Sequence, residues 1–469
     1  MLFAGLHAAV AIIGAVAVMR GRQQQLRFVG FLAPLTGLSA TIGGVEFGWP
    51  LVGFGLLAIL SLHRRDTLPG VFKLALIAIA YWSIAITTYF AVFDEEASTL
   101  VDAARLAGWG EGQTTYRYLV QWLAFAVMIG GFYLASRAVT SPVEARSIAE
   151  GFITGVMTSV TYGFAMAVLQ GYGSDALAFN TLTTMAGRPP ASFPIFEFGP
   201  LRVARFYGLS GEPKHLAGMC VLALAAAYAL AAGDRLTKRH AIQLLVLAVG
   251  ILFTFSTSGY VAGALVLVAG GLHAALTGRL NRRIFVLAAL LGLAAGPLLI
   301  SNSATQQAII QERILARLGS PEAIAHFEYK DAALADYLAT EPSAAIVGRG
   351  TGGSDFFILS HSPITIRAAT TITPTYAFSR TVGDLGLVGL ALMLWLVALA
   401  QGFCRRWPTA RLFALISLVA FVQPALGLPA YFLLLGAFTG GAAGQNLPGD
   451  ATRCSPTPPH RVAAASPSL

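Results

Sequence analysis

The sequence predicts an all-α polytopic membrane protein with about 12–14 transmembrane helices and one large loop on its outer side. Three observations predict it. Of 469 residues, 56% are hydrophobic and 11% charged, with a mean hydropathy of +0.69; a soluble domain carries about 25% charged residues. Apolar segments of about 18–22 residues recur along almost the whole chain, the length needed to cross a hydrocarbon core about 30 Å thick. The short alternating segments of a transmembrane β-barrel are not found. Finally, the basic residues collect in alternate connections between the apolar segments, as the positive-inside rule requires.

Taken in order, the spans fall near 2–19, 27–44, 49–62, 71–92, 117–136, 147–170, 214–232, 241–255, 259–276, 284–300, 381–401, 411–423 and 429–445. Residues 2–19 read as a first helix and not as a cleavable signal, because Arg20 and Arg22 follow the apolar run instead of preceding it. The last two spans are short enough to form a single broken or re-entrant element. Residues 1–300 thus form a transmembrane bundle with outer loops at 93–116 and 171–213. Residues 301–380 form the large loop, 381–445 the C-terminal spans, and 446–469 a Pro/Ser/Ala-rich cytoplasmic tail of disordered composition. The large loop holds two expected helices, Thr305–Leu318 and Ala323–Ala339, and then the turn-rich run Gly348-Arg-Gly-Thr-Gly-Gly-Ser354, read as a flexible turn.

Sorting the charges by loop fixes the orientation. Nineteen of the 31 basic residues, against five acids, lie in one set of alternate loops: Arg20 to Arg27, Arg64 to Lys73, Arg137 and Arg146, Arg235 to Arg239, Arg279 to Arg283, Arg405 to Arg411, and the tail. The other side holds 12 basic residues and 17 acids, a net charge of −5. The overall +9 is therefore a topology signal, and no nucleic-acid partner is expected. The three cysteines, Cys220, Cys404 and Cys454, offer neither a disulfide pair nor a metal site, and the acidic trio Asp94-Glu95-Glu96 marks the end of a span.

On the acidic side, basic residues are scarce, so a cluster there calls for a use. The segment Arg202-Val-Ala-Arg205-Phe-Tyr-Gly-Leu-Ser-Gly-Glu212-Pro-Lys214-His215 opens a span, with Arg188 earlier in the same loop. Arginine keeps its charge in a low-dielectric setting and grips phosphate oxygens in pairs. The helix start after Pro213 adds unpaired N–H groups. Arg188, Arg202, Arg205 and Lys214 together suit a diphosphate. Neighbouring cations favour the charged form of Glu212, which makes it an organiser of charge more than a base, and His215 titrates nearer the working range. In the large loop Arg313, Arg317 and Arg349 are further candidates for an anionic ligand, and Arg380 and Asp384, four apart, are expected to pair.

The order of these features resembles the O-antigen polymerase/ligase superfamily, the Wzy-type polysaccharide polymerases and the O-antigen ligase-like membrane glycosyltransferases. The resemblance rests on an Arg-x-x-Gly-Leu-x-x-Glu-Pro motif (Arg205 to Pro213) and a Thr-Phe-Ser-x-Ser-Gly run (Thr254 to Gly259). After these come a large loop, a Gly-x-Gly-type turn, and Gly383-Asp-Leu-Gly-Leu-Val-Gly389 at the next span. It covers roughly residues 25–445. It implies a GT-C-like membrane enzyme of the bacterial inner membrane, active on the periplasmic face. That enzyme would transfer glycans from undecaprenyl-diphosphate-linked oligosaccharides with inversion, using no metal and no cofactor. Membrane lipids and a chain-length regulator or export complex are the other implied partners. Arg205 matches the family's motif arginine, and Arg205, Glu212 and His215 are carried forward as the catalytic set. Ligases carry an arginine where Thr257 stands, and a His-Asn pair where Thr373-Pro-Thr-Tyr376 stands. Both departures favour a polymerase over a ligase; a lipid-linked glycan transporter is the alternative of another class.

Overall fold

The computed structural model describes residues 2–42, 45–62, 64, 68–93, 113–174, 195–198, 201–204, 206–211, 213–233, 238–254, 256–276, 334–335, 338–354, 377–422 and 428–445. The described residues are mostly helical, and among them four helices are long and apolar enough to cross a membrane: Gly70–Val92, Pro142–Gly171, Pro213–Ala231 and Ala377–Phe403. In chain order the described helices are α1 (Leu2–Met19), α2 (Arg22–Leu32), α3 (Trp49–Leu62), α4 (Gly70–Phe93), α5 (Gln113–Ala138), α6 (Pro142–Gly171) and α7 (Pro213–Gly233). They continue with α8 (Lys238–Phe253), α9 (Thr257–Leu276), α10 (Pro342–Val347), α11 (Ala377–Phe403), α12 (Pro408–Ile416) and α13 (Leu428–Gln445).

Most expected spans in the described residues appear as helices within a few residues of their bounds, with one departure. The expected span 27–44 stops at Leu32, because Pro34 cannot donate to the helical ladder. The chain then forms an antiparallel hairpin of β1 (Ser39–Ile42) and β2 (Val45–Gly48), whose strands flank Gly43-Gly44 in sequence. The last two spans are separate elements: α12 runs on as a 3-10 segment, Ser417–Val422, and α13 follows. Spans 284–300, the helix Thr305–Leu318, most of Ala323–Ala339, the trio Asp94–Glu96, Cys454 and the tail lie outside the described residues. The part of the large loop at 338–354 packs onto the bundle, with Ala344 and Thr351 to Ser354 buried.

Why these helices assemble follows from which faces are apolar. Along α4 one face is buried through Phe72, Ala75, Leu76 and Ile79, while Leu74, Ile77, Tyr81 and Ile84 point outward just as apolar. A helix that is hydrophobic all round belongs in lipid or in a core. α7 is the core case: nearly every residue from Leu216 to Leu230 is buried, surrounded by α6, α8, α9 and α12. Its Cys220 is a buried free thiol, as is Cys404.

In lipid the helices gain little from burying apolar surface, so close backbone approach at small residues does the work. α6 carries Gly151-Phe-Ile-Thr-Gly155, and α2 lies along it. A side-chain carbon at Gly151 would collide with the Arg27 carbonyl, one at Gly155 with the Phe31 carbonyl, and one at Gly30 with the Ile148 carbonyl. The same device joins α13 to α5: Gly436, Gly440 and Gly444 meet the carbonyls of Phe132, Ser136 and Thr140.

Glu144 and Glu150 gather the basic loops at one end of the bundle. Ser141 caps α6, accepting from Glu144 N–H at 3.3 Å, with Pro142 in its first turn. Glu144 in turn accepts from Thr140 N–H at 2.7 Å and meets Arg22 Nε at 2.9 Å and Arg64 Nη2 at 3.6 Å. Glu150 meets Arg27, Arg146 Nε at 2.9 Å and Arg239 Nη2 at 3.9 Å. Arg137 Nε donates to the Arg64 carbonyl at 3.0 Å. Cations from four loops sorted to one side by sequence therefore stand together in space.

Candidate functional site

At the opposite end, two constellations form. Ser159 lies 15 residues after Glu144 on α6, and Thr87, whose hydroxyl accepts from Thr351 N–H at 3.0 Å, lies 14 after Lys73 on α4. At 1.5 Å per residue, both stand about 20 Å from the basic end.

The first constellation is built on Phe206-Tyr-Gly-Leu-Ser-Gly211. Phe206 stacks on Phe253 with ring centres 5.0 Å apart, meets Phe164 edge-on, and donates its N–H to the Phe253 carbonyl at 2.9 Å. That carbonyl ends α8 and has no partner within its own helix. Gly208 follows with φ +50°, pressed against the Ser159 carbonyl so that no side chain fits. Leu209 N–H donates to Ser159 Oγ at 2.8 Å, Ser210 Oγ to the Pro34 carbonyl at 3.1 Å, and Gly37 N–H to the Leu209 carbonyl at 2.9 Å. The motif is thus a buried plug between α6 and the turn after α2, and it leads into α7 at Pro213.

In the first turn of α7, His215 is buried and Lys214 half-buried. One turn further, Gly259 of α9 lies against Ala217, which brings the Thr254–Gly259 run to the head of α7. There Ser256 and Ser258 are buried with their hydroxyls 3.1 Å apart, and Tyr260 N–H donates to the Ser256 carbonyl at 3.0 Å. Arg205 and Glu212 are the chain neighbours of Phe206 and Pro213 but lie outside the described residues, as do Arg188, Arg313 and Arg317. Arg202 stands in β4 (Leu201–Ala204), in register with Glu197 of β3 (Ile195–Phe198).

The second constellation forms where α11 breaks. Gly386, φ +71°, interrupts the helix inside the Gly383–Gly389 motif. The freed carbonyls are taken up by other elements: Arg349 N–H donates to those of Gly383 and Asp384 at 3.0 and 3.2 Å, and Trp82 Nε1 donates to that of Leu385 at 2.8 Å. The Gly348–Ser354 run makes this possible. Gly348 packs against the kink itself, and Gly383 leaves room for Ser354. The run is therefore a buried, closely packed turn and not a flexible one.

Asp384 accepts from Ser354 N–H at 3.1 Å and from Ser354 Oγ at 2.6 Å, and pairs with Arg380 Nε at 3.5 Å, as their spacing predicts. Arg380 also donates to Gln121 Oε1. Arg349 lies over the Phe90 ring and pairs with Glu341 at 2.6 Å. A cavity of about 110 Å³ opens beside Gln121, Thr351, Arg380 and Asp384. Broken backbone inside an apolar span is tolerated where it lines a cavity, and here it does.

The two halves differ in charge. Arg349 and Arg380 face Glu341 and Asp384 one for one, so an anion would have to displace a carboxylate to reach Arg349. Sequence reasoning missed Gln121 and Glu341, which carry no spacing signal. Replacing Asp384 with alanine would leave Arg380 and the Ser354 N–H without this partner in a buried site. Breaking a buried pair in this way costs about 3–5 kcal/mol, and the expected result is a clear drop in the unfolding midpoint of the purified protein. An unchanged midpoint would show that the pair does not hold the kink. Compared with known families and curated proteins, the chain matches no family model and no curated sequence.

Proposed function

We propose that the chain is a membrane glycosyltransferase that polymerises undecaprenyl-diphosphate-linked repeat units into an exopolysaccharide or O-antigen-type polymer. The observation that carries this reading is the pairing of the motifs. Four motifs scattered over almost 200 residues meet as two pairs at one end of the bundle. Arg205–Pro213 joins Thr254–Gly259 through Phe206 and Phe253, and Gly348–Ser354 joins Gly383–Gly389 at the kink.

In this reading, the site faces the periplasm, and the basic end with Glu144 and Glu150 faces the cytoplasm. The acceptor hydroxyl of one repeat unit attacks the anomeric carbon of a second, lipid-linked chain. The glycosidic bond to phosphate breaks with inversion, and undecaprenyl diphosphate leaves. Negative charge builds up on that diphosphate, so cations held in advance at Arg205, Arg202 and Arg188 lower the barrier, with Lys214 and the α7 start beside them. Glu212 would orient these cations, and His215 would receive the acceptor's proton. The mechanism assigns no step to a metal or a cofactor.

A deletion strain tests the reaction class. Accumulation of single repeat units on the lipid carrier is the expected outcome. Long lipid-linked chains that are not passed on would identify a ligase instead, and unprocessed units trapped on the cytoplasmic side would identify a transporter.

A further inference from the structure

The cavity beside the broken helix α11 has no part in the reaction as written above, yet its corner is polar and not fully bonded. Arginine has donors only, so the bond from Arg380 Nη2 to Gln121 Oε1 fixes the Gln121 amide, with its oxygen toward Arg380 and its nitrogen away. Among the described residues that nitrogen meets no acceptor. Arg380 uses Nε on Asp384 and Nη2 on Gln121, and its Nη1 likewise meets no described acceptor. Both side chains line the cavity, as does Thr351, whose hydroxyl lies 3.0 Å from that of Thr87. Most of the remaining wall is apolar, with Phe125, Met128 and Leu428.

Charge selects the ligand. Arg380 and Asp384 cancel, and Asp384 Oδ1 already accepts from the N–H and the hydroxyl of Ser354. An anion would meet that carboxylate, and a cation would meet Arg380. An uncharged polyhydroxyl molecule has neither conflict. Its oxygens can accept from Gln121 Nε2 and Arg380 Nη1 while its C–H edges rest on Phe125 and Leu428. At about 110 Å³ the cavity admits the end of such a molecule and not its length. It opens beside Ala124 and Pro429, both exposed. Gly444, near the far end of α13, meets Thr140 beside Glu144, so Pro429 in the first turn of α13 stands at the motif-bearing end.

We propose that this cavity receives the uncharged, non-reducing terminal sugar of the acceptor chain, and that Gln121 and Arg380 select its hydroxyl pattern. The inference rests on the proposed polymerisation and divides its two substrates by charge. The donor's diphosphate goes to the cation-rich loop before α7, and the acceptor's neutral end goes to the charge-balanced kink. Gln121 is in this role a specificity-determining residue and takes no part in proton transfer.

The test starts from the repeat units that the deletion strain accumulates. Mild acid frees their oligosaccharide from the lipid carrier, and this sugar is titrated into the full-length protein in a detergent without a sugar head group. Saturation-transfer NMR reads the affinity, and the unfolding midpoint reads the fold. The wild-type protein should bind the oligosaccharide through its non-reducing terminal ring, and that ring should carry no charge. Gln121→Met, which keeps the length but removes the amide, should weaken binding about tenfold, the factor for one lost hydrogen bond. Ala124→Trp fills the mouth and leaves the polar corner intact; it should weaken binding at least as much with an unchanged midpoint. Inorganic diphosphate should not displace the sugar. If no repeat units accumulate, the functional reading falls and this inference falls with it. If they do accumulate, any of four results would overturn this inference alone: a charged terminal sugar, no binding by the wild-type protein, displacement by diphosphate, or undiminished binding in either variant.

Discussion

Replacing Arg205 with alanine is expected to abolish polymer while single repeat units persist on the lipid carrier. In the proposed reaction the ground state already carries diphosphate charge, but the bond-breaking step adds more on the departing oxygen. A cation placed there in advance acts on that increment, and removing one such preorganised contact costs about 2.7–4 kcal/mol, or 10²–10³ in rate. The expected effect is therefore near-complete loss, and not a shift in chain length. Arg205→Lys should restore only part of it, since an ammonium offers a point charge where guanidinium offers a two-pronged donor. The variant should still fold, because the neighbouring plug is anchored by Phe206 on Phe253 and by Gly208 on Ser159. Immunoblotting for protein level and gel analysis of the glycan read out both points. Normal chain lengths at wild-type protein level would sink the functional assignment.

The second large effect concerns folding. Gly151→Leu should prevent α2 from seating on α6, because the new side chain would run into the Arg27 backbone, which no rotamer change can clear. Overpacking a core costs typically 1–3 kcal/mol, and a backbone collision belongs at the top of that range. The displaced helix would also lose its contacts from Arg22 to Glu144 and from Gly37 to Leu209, which hold the basic end and the motif plug. Little folded protein should survive extraction in detergent. Gly55→Leu is the control, since a side chain there meets nothing within 4 Å on an exposed face. Comparable yields of the two variants would show that the glycine seam does not set the helix spacing.

The limits of the sequence appear in particular elements. Expected helices at 49–62, 71–92, 147–170 and 214–232 were legible because an apolar run of membrane length has few other ways to satisfy its backbone. The sorting of Arg22, Arg64, Arg137 and Arg239 to one side was legible for a similar reason: it depends on a count of charges per loop and not on any particular contact. Arg380 and Asp384 could be paired from their spacing alone. The hairpin after Leu32 was hidden because Leu35, Leu38, Ile42, Val45 and Phe47 extend the apolar run, although Pro34, Gly43-Gly44 and Glu46 argued against a helix there. Gly151 and Gly155 stood in plain view, but small residues four apart occur often in apolar helices, and nothing in the chain says which helix approaches them.

Composition and local spacing were thus enough to establish a helical chain with membrane-length spans and a basic end, because these are additive properties of short segments. The meeting of the motifs was decided in three dimensions. Phe206 finds Phe253, and Gly348 finds the kink at Gly386, through shape and unpaired carbonyls that arise only once helices pack. The charge balance was settled there too. Arg349 looks like a spare cation in the sequence, and in the fold it faces Glu341 and the Phe90 ring. A long-range contact depends on two surfaces at once, and a linear pattern describes only one of them.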